Sequence, residues 1–73
     1  MTALAKRSFS LAQHRTSVAL EPEFWRALEQ IAQERGQSLS AFVAGVDAGR
    51  GPDRPLASVL RITALAAFYE RRS

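Results

Sequence analysis

Apolar residues alternate with polar ones at the start of the chain and then settle into helical spacing. Phe9 and Leu11 alternate with Ser8 and Ser10, which suits a short extended piece, and Val18 and Leu20 are the apolar members of a second run, residues 14–20. Parity changes between the two runs, odd in the first and even in the second. One uninterrupted strand would turn these pairs to opposite faces, so a bulge or turn is expected near Ala12 to His14, with the main strand at residues 14–20. On that strand Thr16, Val18 and Leu20 face the core, while Arg15, Ser17 and Ala19 face solvent. Residues 1–7 show no periodicity and read as a mobile arm.

Helical spacing begins at Glu21-Pro22-Glu23. Pro22 suits a first helical position, where its missing N–H costs nothing, and the flanking carboxylates complement the helix dipole. Phe24, Leu28 and Ile31 form one apolar line with Trp25 and Ala32 beside it, and Gly36 closes the helix as a left-handed cap. Ser38 is an N-cap for a second, short helix that buries Leu39, Phe42, Val43 and Val46. Gly45 and Gly49 are read there as one tight contact and one cap. After the breakers Gly51 and Pro52, Pro55 opens a third helix to about Glu70. Leu56, Val59, Leu60, Ile62, Leu65, Phe68 and Tyr69 cover most of its circumference, and a helix apolar nearly all round needs cover on more than one side. A second subunit is the natural cover.

Composition and charge narrow the function. Seventy-three residues make one domain at most, with residues 1–13 as a basic arm, 14–49 as the core and 50–73 as linker and apolar helix. Without cysteine, and with a single histidine, neither disulfides nor a structural metal reinforce so small a core, which leaves oligomerisation. No signal peptide or membrane span is read, and the expected place is the cytoplasm. The net charge is +3, and all of it lies in residues 1–20, where Lys6, Arg7 and Arg15 meet no carboxylate. Such segregation suits a polyanion, although a merely solvated basic end is the plainer explanation. No cofactor-binding glycine loop, metal-ligand set or activated nucleophile occurs, so no enzyme and no cofactor are expected.

A lone strand ahead of helices leaves its backbone donors and acceptors without a partner. Antiparallel pairing with its copy in a second chain would satisfy them and build a two-stranded ribbon that fits the major groove of DNA. Here the sequence resembles the ribbon-helix-helix repressors, the group of the methionine and Arc repressors. The likeness rests on Arg15-Thr16-Ser17-Val18-Ala19-Leu20, Glu21-Pro22-Glu23-Phe24-Trp25, the closure at Gly36 and the restart Ser38-Leu39-Ser40-Ala41-Phe42, and covers residues 14–49. The run from Lys6-Arg7-Ser8 to Trp25 is also similar to a small bacterial subgroup with a shortened second helix and an added third one.

That resemblance implies a mainly α fold with one short strand, an intertwined homodimer with a third C-terminal helix, and double-stranded DNA as partner. It implies base reading by Arg15, Ser17 and Ala19, a thin set because Ala19 is apolar, and phosphate contact by Gln37, Ser38 and Ser40. Lys6 and Arg7 are assigned to phosphate, with plain solvation as the other reading. The expected dimer core is Val18, Leu20, Trp25, Leu28, Ile31, Phe42, Val43 and Val46. His14 is expected exposed or near phosphate, and Arg61 paired with a carboxylate. Transcriptional repression is the leading function. The alternative is an antitoxin or adaptor that docks a protein partner through Leu65, Phe68 and Tyr69.

Overall fold

The computed structural model describes residues 3–11 and 14–72, with only the backbone of His14 and Arg72. Two strands, β1 (Ala5–Leu11) and β2 (His14–Leu20), precede three helices, α1 (Pro22–Glu34), α2 (Leu39–Gly49) and α3 (Leu56–Arg72). The strand and helix starts foreseen at residues 14 and 22 are met. Ala12 and Gln13, where the turn is expected, lie outside the described residues, as do Met1 and Thr2 of the arm.

The main departure is β1. Instead of an arm, residues 5–11 form a strand antiparallel to β2, with Ala5 opposite Leu20, Ser8 opposite Ser17 and Leu11 opposite His14. The backbone of β2 thus finds along one edge, within its own chain, the partner that the sequence reading sought in a second chain. The parity switch explains why. In this register an odd residue of β1 stands beside an even residue of β2, so Phe9 and Leu11 share a face with Val18 and Leu20 and all four are buried. One apolar face forms, and the helices cover it.

Helix α1 begins at Pro22 and ends as the glycine signal dictates. Gly36 has φ of 68°, Gln37 N–H donates to Ala32 O at 2.9 Å, and Gly36 N–H donates to Gln33 O at 3.0 Å, a paired closure that satisfies carbonyls left open at the helix end. Trp25, Leu28, Ile31 and Ala32 are the buried residues of this helix; Phe24, expected on the main apolar line, is only partly buried against the core. Ser38 caps α2, its Oγ accepting from Ala41 N–H at 3.1 Å. Phe42 and Val43 are buried, whereas Val46 is packed against the core while partly exposed. Helix α3 packs on α1, α2 and β2 through Leu56, Leu60 and Ala64.

The expected tight contact at Gly45 does not exist. An added Cβ would meet nothing within 4 Å there, and the same holds at Gly49. Glycine inside a helix costs backbone entropy without a packing return, so Gly45→Ala is expected to raise the unfolding free energy by about 0.5–1 kcal/mol. A urea titration checks this; destabilisation would mean that some close approach needs the bare backbone.

Candidate nucleic-acid interface

The hairpin has two unlike faces. Toward the helices lie Ala5, Arg7, Phe9 and Leu11 of β1 with Thr16, Val18 and Leu20 of β2; toward solvent lie Lys6, Ser8 and Ser10 with Arg15, Ser17 and Ala19. The expected alternation of β2 is therefore observed, and β1 adds a second row that the sequence reading had not assigned. Across the outer face Lys6 stands opposite Ala19, Ser8 opposite Ser17 and Ser10 opposite Arg15. The two central hydroxyls, Ser8 Oγ and Ser17 Oγ, are 3.1 Å apart and hydrogen bonded. Ala19 is half-buried, and the other five are exposed.

Trp25 fixes this ribbon to the helices. Its side chain is 1 % exposed, its Nε1–H donates to Ala5 O at 2.7 Å, and its ring lies 5.8 Å from that of Phe9. Arg7 cannot serve as the free phosphate contact expected of it. Parity places it on the inner side, where its guanidinium lies 5.0 Å from the Trp25 ring centre and donates to Glu29 Oε2 at 2.8 Å. Long cationic side chains cover apolar rings in this way while keeping their charge near water.

Four arginines form ion pairs. Among the described residues, Arg50 pairs with Asp47, Arg61 with Glu21 and Arg71 with Glu34, in addition to Arg7 with Glu29. Arg61 thus has the carboxylate partner expected of it, 3.1 Å away, and lies 5.9 Å from the Phe24 ring centre. A backbone N–H at the helix start, then the Arg61 guanidinium, hold the Glu21 carboxyl below its usual range. Its contribution to stability is accordingly present above the ordinary carboxylate pKa and fades as pH falls through the lowered value. None of these four pairs involves Lys6 or Arg15. The outer ribbon face carries two positive charges and no carboxylate.

At the start of α2, Gln37, Ser38 and Ser40 are exposed; Ser38 Oγ already takes the Ala41 N–H, and the N–H groups of Leu39 and Ser40 are those left to suit an anion. Among the described residues no group of three or more His, Asp or Glu side chains is placed to hold a metal ion, and no helix is long and apolar enough to cross a membrane. The His14 side chain lies outside the described residues. On α3, Ile62, Leu65, Phe68 and Tyr69 are 49–61 % exposed, with Phe68 and Tyr69 packed edge to face at 6.1 Å.

A family model for a ribbon-helix-helix domain matches residues 4–68, from the residue before β1 to the last turns of α3. The chain belongs to the ribbon-helix-helix family. Ribbon-helix-helix domains typically serve as DNA-binding regulators or antitoxins and generally dimerise. No curated protein and no solved structure matches the chain. In this ribbon-helix-helix chain the match takes in β1 and most of α3 as well as the segment, residues 14–49, on which the sequence resemblance rests.

Proposed function

We propose that this chain is a sequence-specific DNA-binding regulator of transcription, acting as a repressor in the bacterial cytoplasm and presenting the outer face of its ribbon to the major groove. One observation carries the reading: the exposed outer face of the ribbon brings together Lys6, Arg15 and three serines and holds no carboxylate. Two strands about 4.8 Å apart fit a groove about 12 Å wide. Arg15 is the principal base reader, because a guanidinium bridges the O6 and N7 acceptors of guanine; Ser17 donates to or accepts from base edges, and Ala19 meets at most a thymine methyl. Gln37, Ser38 and Ser40 take phosphate at the start of α2, where the N–H groups of Leu39 and Ser40 are not used by the Ser38 cap. The reading requires no catalysis, cofactor or metal. A mobility-shift titration with genomic fragments at rising salt tests it. Affinity is expected to fall linearly with salt on logarithmic axes; salt-independent or absent binding contradicts it.

The active form in this proposal is a homodimer, joined through the side of α3 opposite the core. That side exposes Ile62 and Leu65 at 49 % and 51 %, apolar surface that a second copy would cover. Leu65→Glu is expected to turn a dimer into a monomer by sedimentation while leaving the circular dichroism spectrum unchanged. The second reading, an antitoxin or adaptor docking another protein through Leu65, Phe68 and Tyr69, draws on the same exposed surface; a parent chain that is monomeric in isolation would favour it.

A further inference from the structure

We propose that β1 is a phosphate-binding outer strand: with a second copy paired along the free edge of β2, Lys6, Ser8 and Ser10 of each chain lie over the sugar-phosphate backbones on the two sides of the groove that β2 enters. The inference rests on the DNA-binding function proposed above and deepens it. It begins from an unpaired edge. β2 is hydrogen bonded to β1 on one side, and among the described residues no other strand and no further backbone hydrogen bond meets its other side. Backbone donors and acceptors along such an edge are a template for another strand.

The surroundings favour a second copy at this edge over the edge of β1. Helix α3 packs beneath β2 and α2 beneath β1. Among the described residues, the exposed large apolar side chains of the helices all lie on α3, Ile62 and Leu65 among them. A copy laid along β2 therefore comes next to the helix that needs cover. β1 carries Lys6 and Arg7 side by side, and charge of this kind keeps an edge strand unpaired. Parity then sets the register. To keep Arg15, Ser17 and Ala19 on one outer face, odd residues of β2 must meet odd residues, and only a register centred on Ser17 pairs the whole strand His14–Leu20 with its copy.

Four strands result, with β2 of each copy inside and β1 of each copy outside. The pairs Lys6 with Ala19, Ser8 with Ser17 and Ser10 with Arg15 continue across the new edge. Each end row of the outer face then runs Lys6, Ala19, Arg15, Ser10, the last two from the second copy, and the middle row is all serine. Spaced about 4.8 Å apart, the two inner strands fit within a groove about 12 Å wide, whereas the outer two stand about 14 Å from each other, at its rims.

Phosphates line those rims. An exposed lysine and two exposed serine hydroxyls, on a face without a carboxylate, suit them, while the Arg15 guanidinium stands over the bases between. β1 also holds this row firmly. Phe9 and Leu11 are buried and the Ala5 carbonyl accepts the Trp25 indole N–H, so Lys6 keeps a fixed place relative to Arg15 where a loose arm would not.

The experiment is a salt titration of the parent, Lys6→Ala and Lys6→Arg against one duplex selected by the parent and one scrambled duplex, with the number of chains per complex read by sedimentation. Unchanged circular dichroism confirms the fold of each. The expected complex holds two chains. Lys6→Ala is expected to weaken binding to both duplexes by the same factor, about tenfold or more at about 0.1 M salt, and to lower the logarithmic salt slope by about two, one contact for each copy. Lys6→Arg keeps the parental slope. Parental affinity and slope in Lys6→Ala overturn the proposal, because β1 then lies off the DNA. A changed ratio between the two duplexes in Lys6→Ala overturns it in favour of base reading by β1, and one chain per complex overturns the four-stranded arrangement. Each of these failures leaves DNA binding itself standing; failure of the parent to bind either duplex overturns the proposal together with the function on which it rests.

Discussion

Trp25→Ala is expected to cost about 3–5 kcal/mol of stability and to leave the chain largely unfolded at 37 °C. A domain of this length has roughly 4–11 kcal/mol in total, so this one truncation removes much of it. The size of the effect follows from what the ring touches. It is 1 % exposed, contacts both Phe9 and the Arg7 guanidinium, and its indole N–H holds the Ala5 carbonyl. Removing it opens a cavity at the junction of β1 and α1 and frees the first strand from the helices. Trp25→Phe separates the two contributions, since it keeps a ring for Phe9 but lacks the N–H. A loss of about 1–2 kcal/mol is expected from that variant, with faster amide exchange confined to the start of β1. Thermal melts of both variants give the comparison. A melting temperature for Trp25→Ala within a few degrees of the parent would show that β1 does not depend on this anchor.

Arg15→Ala is expected to weaken binding to a preferred DNA site about 5- to 150-fold while leaving the fold intact, the span that corresponds to a bidentate base contact worth about 1–3 kcal/mol. Stability is spared because Arg15 is exposed and forms none of the four ion pairs of the fold. Arg15→Lys keeps the charge but loses the planar fork, so it should recover the salt dependence and only part of the base preference. Parent and both variants titrated against one site and one scrambled duplex at fixed salt provide the measurement. Equal affinity of Arg15→Ala and parent for both duplexes would remove Arg15 from the interface.

The helices were legible because their punctuation is chemical and local. Pro22, Gly36 and Ser38 set the ends of α1 and the start of α2, and the structure honours each through a first-turn proline, a left-handed glycine and a side-chain cap. The outward set Arg15, Ser17 and Ala19 was legible for the same reason, since alternation along one strand needs no tertiary information. The first strand was only half legible. Its alternation and its change of parity were visible, and antiparallel pairing of β1 with β2 accounts for both, but Lys6 and Arg7 looked like a basic arm and drew the strand's partner into another chain. The missed signal was a nine-residue repeat between the two strands, in which Lys6, Ser8, Phe9 and Leu11 fall on Arg15, Ser17, Val18 and Leu20. Arg7 also shows what spacing does not reveal: its parity with Phe9 pointed inward, but its partners Trp25 and Glu29 are brought to it only by the packing of α1 on the hairpin. For Gly45, the sequence suggested a close contact, and only the packed fold shows open space.

Whether the outer ribbon face recognises particular DNA sequences is tested most directly by selecting bound fragments from bacterial genomic DNA with the intact chain, followed by sequencing. Enrichment of a short common site is expected, bound at moderate salt far more tightly than bulk DNA and lost from the enriched pool when Arg15 is replaced by alanine. Recovery of fragments in proportion to their abundance, with the same outcome for Arg15→Ala, would contradict it.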